Sequence, residues 1–476
     1  MSMMQMLLAT SAGGETVDVA PLFSAYAYEG DGDTTRYRNS IDFVNNDGLM
    51  WIKCRSNSNT RHTLCDTQRG IFQRISTDSS AADTYDTSGA VSGFKVDGFV
   101  VKNSTETNAS GFDYVAYSFI ENEKFFDIVQ WNGNSTNNRA ISHSLGAIPE
   151  FIITKRLNTS ENWEITFDDL ITNGEGFQSW GNVAKSSRSA WGASNPVNAP
   201  TATTLSVSNN SSINGTGSSY IAYLFASLAG VSKVGTYTGS ASSVDVDCGF
   251  TNGAAFVMVK NTSTGSWFIW DSARGINSGN DSYLDPGTRD AEVTNKDYID
   301  PLSSGFTATA NDSNNQVNGN GITFYFFAIA VPNVSLASAL RTTGSAIGNM
   351  TQDGGLAAAF DNSTTGDYTN GARKDPSSNC HIGRNFGSSK ALRGIKLFRP
   401  DGSGTGGSNC FPGEGGGTYT VQKSSNGSTW VEVTTVAGTV EKSILITFPE
   451  TSAQYWRVLF SGDGNGGTVQ EMQFFT

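Results

Sequence analysis

The chain has 476 residues, a formal net charge of −13 and only 16% charged residues. At roughly 150 residues per domain, this length has room for three or four domains. The acidic balance argues against nucleic-acid binding, which needs clustered Lys and Arg to displace counterions. No segment approaches the ~20 consecutive apolar residues of a membrane span, so no span is predicted.

The composition predicts an all-β protein. Glycine is abundant, with 53 residues, and Ser, Thr and Asn are frequent, which favours short strands joined by polar turns over helices. Aromatic residues make up 11% of the chain and supply core material that disordered chains lack. We therefore expect an ordered protein built from strands.

The first segment, 1–20, begins MSMMQMLLATSAGG. It lacks the basic start of a secretory signal, so none is predicted. Two interpretations stay open. The segment is either a disordered start or a peptide that docks into a partner, because its apolar side chains are costly to leave in water.

Residues 21–334 repeat one pattern three times, at 21–122, 123–230 and 231–334. Each copy opens on an aromatic residue followed two positions later by glycine, continues to an apolar strand ending in lysine, then to an aspartate, and closes on a Tyr-x-Phe strand. These landmarks are Tyr28, Lys53, Asp66 and Tyr117, then Trp131, Lys155, Asp168 and Tyr223, then Tyr237, Lys260, Asp271 and Tyr325. A period of about one hundred residues is the size of a small domain, not of a solenoid repeat. We predict three tandem duplicated β-sandwich-like modules, followed by a fourth domain at 335–476.

Copies one and three share an Asp-x-x-Arg-Gly motif, with Asp66 and Arg69 in one and Asp271 and Arg274 in the other. The arginine can fork onto its own aspartate or bridge to the next loop. Because no base or nucleophile accompanies the motif, we interpret these residues as structural turn clamps. Copy two reads Asp168-Asp169-Leu170 and has no such arginine.

The last 120 residues or so contain four motifs in a specific order: Ala358–Asp361, Gln422–Trp430, Ala453–Val458 and Gln470–Phe474. This order resembles the discoidin-type (coagulation-factor C domain-like) jelly roll, which is also a family of carbohydrate-binding modules. Asn426 stands where that family usually has aspartate. The resemblance implies a C-terminal jelly-roll β-sandwich at 335–476 and carbohydrate binding.

The repeats are similar to domains in tail and fibre proteins of marine tailed bacteriophages, through Trp-Ile-Lys-x-Arg, Asp-x-x-Arg-Gly and Tyr-Val-Ala-Tyr-Ser-Phe. The methionine-rich start followed by Gly-Gly is also typical of such virion proteins. The resemblance implies a virion protein, assembled in the host cytoplasm, that joins other virion proteins through its N-terminal segment. Fibres of this kind are usually homotrimers, so a homotrimer is expected.

Aromatic residues in Gly/Ser/Asn-rich stretches are the candidate glycan-binding residues, because pyranose C–H faces stack on aromatic planes. They are Trp180, Trp191, Tyr368 and Phe411. The alternative for each is a core position under a long loop. Trp430 and Trp456 lie in alternating strands and are predicted in the core.

Nothing in the sequence predicts an enzyme, because zinc-ligand spacings and nucleophile motifs are missing. The dense acidic spots of the repeats, Glu161 with Glu164 and Asp168 with Asp169, leave paired-carboxylate chemistry as an alternative. No cofactor is expected. The discoidin resemblance implies at most a structural calcium near Asp361 and Glu471. The five cysteines lack CxxC spacing, so buried free thiols are predicted.

The sequence thus predicts a non-enzymatic structural protein of a phage virion, a tail fibre or tail-tip adhesin that contacts host surface polysaccharide. The first alternative is a capsid decoration or head-fibre protein. The second is a secreted glycan-binding module or glycosidase accessory protein.

Overall fold

A computed structural model describes residues 19–263, 265–310, 315–332, 343–361, 371–374, 380–399, 417–437, 443–461 and 467–475. In these ranges the chain is nearly all β, as predicted, and its helices are single turns. The predicted docking peptide at 1–20 lies outside the described residues except for its last two, Val19 and Ala20, which are buried.

Each repeat contributes one main sheet with smaller strands around it. The first repeat contains β1 (Phe23–Glu29), β2 (Thr35–Arg38), β3 (Gly48–Cys54), β4 (Thr63–Asp66), β5 (Gln73–Arg74), β6 (Thr84–Tyr85), β7 (Gly93–Lys95), β8 (Gly98–Val101) and β9 (Asp113–Ile120). The second contains β10 (Phe126–Asn132), β11 (Arg139–Ser142), β12 (Phe151–Arg156), β13 (Glu164–Phe167), α1 (Asp168–Ile171), β14 (Glu175–Gln178), β15 (Ser186–Ser187), a 3-10 turn (Ser189–Trp191), β16 (Thr204–Val207), α2 (Ser211–Asn214) and β17 (Ser219–Phe225). The third contains β18 (Ser232–Thr238), β19 (Val244–Asp247), β20 (Ala254–Asn261), β21 (Trp267–Asp271), β22 (Asp281–Tyr283), β23 (Val293–Lys296), β24 (Ile299–Leu302), β25 (Gly305–Ala308) and β26 (Thr323–Ala330).

The three main sheets have the same strand order. It runs β1-β9-β3-β4 in the first repeat, β10-β17-β12-β13 in the second and β18-β26-β20-β21 in the third, where the second repeat adds β14 and β15 at its edge. In each sheet the strand that carries the lysine (β3, β12 or β20) lies in the middle. On one side is the closing Tyr-x-Phe strand (β9, β17 or β26), and on the other is the strand that leads to the aspartate (β4, β13 or β21). The repeat read from the sequence is therefore a repeat of topology.

The inward faces of the three sheets meet in one shared aromatic core. The phenylalanines of the Tyr-x-Phe strands lie at its centre. The ring centroid of Phe225 is 5.5 Å from that of Phe119 and 4.8 Å from that of Phe327. Phe119 is in turn 5.9 Å from Phe256 of the third repeat. Every repeat therefore contacts the other two, and the arrangement is a pseudo-threefold ring within one chain.

The outward faces are covered by each repeat's own small strands. These strands form the sheets β2-β8-β7, β11-β16 and β19-β25-β24. The first and second repeats have separate outer clusters beneath these strands. Strands β3 and β20 are consequently buried along their whole length, as expected of apolar strands covered on both sides.

The C-terminal region is a second body of strands with its own core. Its elements are β27 (Ser345–Gly348), β28 (Gln352–Asp353), α3 (Gly355–Ala358), β29 (Ala372–Lys374), β30 (Cys380–Phe398), β31 (Thr418–Ser424), β32 (Val431–Ala437), β33 (Ser443–Ser461), β34 (Gly467–Val469) and β35 (Glu471–Phe475). The main sheet runs β27-β30-β33-β31-β32, and β28-β29-β34 form a smaller sheet.

The two long strands, β30 and β33, take part in both layers of this sandwich. The first half of β30 pairs with β27 and the second half with β35, and register shifts separate the halves. Such irregularities let a strand turn a corner between layers. The predicted strands Ile444–Phe448 and Tyr455–Phe460 are accordingly two parts of the single strand β33.

Four cysteines, Cys54, Cys65, Cys248 and Cys380, are buried free thiols, as predicted, and Cys410 lies outside the described residues. The C-terminal domain contacts the first repeat through β32, where the Ser40 hydroxyl donates to the Val433 carbonyl over 3.3 Å.

Candidate functional site

The closing tyrosine of each repeat bonds to an aspartate of a different repeat. The hydroxyl of Tyr117 donates to Asp271 over 2.8 Å, and that of Tyr223 donates to Asp66 over 2.8 Å. Tyr325 makes the third link, a bond of 2.6 Å to Asp169, from a different position, because the register places Phe327 where the other repeats have Tyr117 and Tyr223. These three links join the first repeat to the third, the second to the first and the third to the second.

The predicted turn clamps form the other half of these links. Arg69 donates from Nε to Asp66 over 2.6 Å, and Arg274 does the same to Asp271. Both pairs are almost completely buried. The clamps therefore hold the carboxylates that receive the tyrosines of a neighbouring repeat, which is a larger structural role than closing a turn.

The second repeat uses a different aspartate from the one that the sequence period indicated. Register places Phe167, not Asp168, at the position of Asp66 and Asp271, because Phe167 pairs with Phe151. The following residues turn into helix α1, and this turn presents Asp169 to Tyr325. Asp168 is thus wrong as the equivalent residue, and no arginine is needed because Asp169 is exposed.

The lysines that end the central strands follow the same ring. The ammonium group of Lys53 donates to the Arg289 carbonyl of the third repeat over 3.3 Å, and that of Lys155 donates to the Ser80 carbonyl of the first over 2.9 Å. Lys260 lies 5.3 Å from the ring centroid of Phe177 in the second repeat. Burial lowers the pKa of Lys53 and Lys155 to about 8 and that of Lys260 to about 7.

Two predicted glycan-binding residues are core residues. Trp180 is fully buried where the repeats meet, 5.6 Å from Trp51 and 4.9 Å from Trp267 between ring centroids. Trp191 is fully buried in the outer cluster of the second repeat. Neither can stack on a sugar, so the alternative of a core position is correct for both. Tyr368 and Phe411 lie outside the described residues.

The two residues implied for a calcium site lie on adjacent chain segments. The Met472 amide donates to the Ala359 carbonyl over 2.7 Å, which brings the segment before Asp361 beside the strand of Glu471. Asp361 is exposed and Glu471 is buried. Burial lowers the pKa of Arg384, and the nearby Glu471 carboxylate opposes that shift. Among the described residues no three His, Cys, Asp or Glu side chains come together as metal ligands, and the calcium stays a prediction.

The dense acidic spots of the second repeat have structural partners. The Glu164 carboxylate accepts two hydrogen bonds from the Arg188 guanidinium, over 2.6 Å and 3.0 Å. The Asp169 carboxylate accepts one from the Tyr325 hydroxyl. Burial raises the pKa of Glu164, and its bonds to Arg188 oppose the shift. Glu164 and Asp169 therefore each have a protein partner.

A partly open aromatic face lies on the C-terminal domain, at Trp430. The guanidinium carbon of Arg457 is 4.0 Å from the Trp430 ring centroid, and Arg457 Nε donates to Gln422 over 2.7 Å. Trp456 is in the core as predicted, whereas the core prediction for Trp430 is wrong because its side chain is only half-buried. We call Gln422, Trp430, Tyr455 and Arg457 the Trp430 face.

The hairpin before Trp430 explains the position of this face. The side-chain oxygen of Asn426 accepts the Ser428 and Thr429 amides over 2.9 Å each, as an aspartate would. Gly427 has a φ of +74°, and a Cβ there would lie 2.9 Å from the Tyr455 ring. Asn426 therefore preserves the turn despite its departure from the family pattern. Strand alternation predicted a core position for Trp430, because alternation alone does not show that this residue lies before the first residue of β32, Val431.

No helix in the described part of the chain is long and apolar enough to cross a membrane.

Several solved structures similar to part of this chain are carbohydrate-binding modules. Chitosan-binding module 1 of a Paenibacillus sp. IK-5 chitosanase/glucanase is 22% identical, with 29% of this chain and 98% of that chain covered and a TM-score of 0.22. A Streptococcus pneumoniae fucose-binding module is 13% identical, with 29% and 96% covered and a TM-score of 0.24. A Clostridium perfringens module in complex with GalNAc-beta-1,3-galactose is 14% identical, with 29% and 98% covered and a TM-score of 0.23.

No curated protein matches the chain. One protein-family model, described as a domain of unknown function (DUF7483), matches residues 18–332, which is more than half of the chain and contains all three repeats. The chain therefore belongs to the DUF7483 family.

Proposed function

We propose that this chain is a non-enzymatic attachment protein of a tailed-phage virion, a tail fibre or tail-tip adhesin that binds host surface glycan. The Trp430 face carries the proposal. It combines a half-buried indole with a guanidinium and a side-chain amide, groups that stack on pyranose rings and bond to their hydroxyls. The phage setting is supported by the resemblance of the repeat motifs to those of phage tail proteins.

The repeats suit the role of a rigid support. Their shared core and buried Tyr–Asp links fix the three sheets relative to one another. A binding face held on a rigid support loses less entropy when it meets its ligand. Several linked copies would further raise the avidity for a repetitive polysaccharide.

Binding is tested with the full chain on an array of bacterial surface polysaccharides. We expect retention on at least one polysaccharide and a loss of about tenfold or more in the Trp430→Ala variant, because removal of an aromatic anchor commonly costs this much. Tyr85→Ala, which removes an exposed tyrosine of the first repeat, is the matched control and should bind normally. Equal binding of Trp430→Ala and the wild type would refute this role.

The virion setting is tested separately by immunogold labelling of purified particles. Label at the tail tip supports the adhesin, and label on the head supports the capsid decoration or head-fibre alternative. A chain that binds glycan but is absent from particles would instead be a secreted glycan-binding module. The expected homotrimer would have a mass close to three times the 50.6 kDa of one chain, measured by sedimentation.

A further inference from the structure

A cleft of about 310 Å³ opens on the outer side of the third repeat. It lies between β21 and the segment from β22 to Tyr298, and its wall residues Phe268 and Tyr298 are continuous with the buried cluster of the repeats. Its volume is near the lower end of the ~300–1,000 Å³ range of ligand pockets, enough for one small ring-shaped ligand. It is remote in sequence from the Trp430 face.

Aromatic rings form one wall of the cleft. Tyr283 and Tyr298 are stacked, with ring centroids 5.7 Å apart, and Phe268 packs edge-on against Tyr283 at 5.0 Å. Tyr283 is half-buried, whereas Phe268 and Tyr298 are almost completely buried. The packed pair holds the Tyr283 ring in place and leaves part of it open to the cleft.

Polar groups of both signs line the rest of the cleft, among them Asp285, Lys296 and Gln316. A carboxylate accepts hydroxyl protons, while an ammonium and an amide donate to hydroxyl oxygens. The mixture argues against a purely anionic or purely apolar ligand. Burial raises the pKa of Asp285 to about 6, and the Gly287 amide and the Ser266 side chain hold the carboxylate by hydrogen bonds.

The loop that carries Asp285 is fixed by the first repeat. His62 Nδ1 accepts the Trp51 indole N–H, so its Nε2 carries the proton and donates to the Asp285 carbonyl over 3.1 Å. Further along the loop, Arg55 pairs with Glu292 over 3.0 Å. Contacts between the first and the third repeat therefore fix the shape of the cleft.

The other two repeats fill the equivalent position with polar residues. Register places Thr63 and Glu164 where the third repeat has Phe268. In the second repeat, Glu164 is buried and paired with Arg188. In the first repeat, the bridges Leu64–Ile75 and Ile269–Leu284 make Arg74 the counterpart of Tyr283, and Arg74 pairs with Asp86 over 2.9 Å. Among the described residues, the three copies of one template differ here, and the third has aromatic rings where the other two have polar side chains.

We propose that this cleft is a second sugar-binding site, which takes a single uncharged pyranose stacked on Tyr283 with its hydroxyls bonded to Asp285, Lys296 and Gln316. The site is independent of the Trp430 face, since it belongs to the DUF7483 domain and not to the C-terminal domain. Two separated sites on one chain would let the protein engage two points of a glycan surface.

Saturation-transfer NMR on the full chain tests this site with the methyl glycosides of glucose, galactose, mannose, N-acetylglucosamine and N-acetylgalactosamine as probes. We expect at least one glycoside to receive saturation in the wild type and in Trp430→Ala, and its signal to fall about tenfold in Tyr283→Ala. Lys296→Ala should weaken the same signal, and Tyr85→Ala should leave it unchanged. The Lys296 variant keeps the test valid if Tyr283→Ala does not fold.

Three outcomes overturn the proposal: no glycoside receives saturation, the signal survives both cleft variants, or Tyr85→Ala lowers it equally. A signal lost in Trp430→Ala and kept in Tyr283→Ala refutes the cleft while supporting the C-terminal face. The reverse pattern supports the cleft, and the C-terminal face is judged by its own test, the polysaccharide array with Trp430→Ala.

Discussion

The triplicated region and the C-terminal domain bury their aromatic side chains in different ways. The three repeats place rings from every copy into one shared core, and the first and second repeats each bury a further cluster of their own. The C-terminal domain has a core made of its own residues, from Met350 to Phe474, which include Tyr419 and Trp456. The difference indicates that the sequence repeat is not the folding unit. We expect the repeats to unfold as one unit and the C-terminal domain as another.

Truncation of Phe225 at the centre of the shared core should have the largest effect. Phe225→Ala removes contacts to rings of both other repeats and should lower the free energy of unfolding of the triplicated region by about 3–5 kcal/mol. Calorimetry should show this transition moving to lower temperature while the C-terminal transition stays in place. Trp456→Ala is the matched control and should move only the C-terminal transition. Movement of both transitions in either variant would contradict two separate cores.

Removal of one ring link should have an intermediate effect. Tyr223→Phe leaves the buried Asp66 without its hydroxyl donor and should cost about 1–3 kcal/mol. Tyr325→Phe should cost less, because Asp169 is exposed and can bond to water. Denaturant titrations measure both. Equal costs would mean that burial of the carboxylate does not decide the strength of the link.

Gly427→Ala tests the hairpin of the C-terminal domain. A left-handed backbone costs a residue with a Cβ about 1–2 kcal/mol, and the new methyl group would also displace the Tyr455 ring. The unfolding temperature of the C-terminal domain should fall, while that of the repeats should not change. Gly217→Ala is a control in the second repeat, since Gly217 also has a positive φ but no atom near its Cβ position. A shift of the repeat transition by Gly427→Ala would show that the two bodies unfold together.

The buried lysines predict a small pH dependence confined to the repeats. Burial lowers the pKa of Lys53 and Lys155 to about 8 in the folded chain, so between about pH 8 and 10 the unfolded chain binds more protons. Stability should therefore rise with pH in this window and reach its full value only above the unfolded pKa. Backbone carbonyls bonded to both ammonium groups favour the charged form and keep the effect small. Melting temperatures of wild type and Lys155→Met should diverge in this window; parallel curves would mean that Lys155 stays charged.

The sequence by itself determined the fold class, the three copies and the strands that carry them. Apolar runs ending in lysine and closing Tyr-x-Phe pairs fix strand positions through alternation, which is a local property. The Asp–Arg pairing three residues apart is equally local, so Arg69 and Arg274 could be predicted as clamps.

Tertiary structure alone decided which residues are accessible and which repeat each side chain contacts. Trp180 lies in a polar stretch, yet rings from the other two repeats cover it. Asp169 replaces Asp168 because a helical turn starts there, and Tyr283 borders a cleft because the first repeat holds the next loop. Such outcomes depend on contacts between residues that are far apart in the chain and belong to different repeats, for which local pattern carries no information.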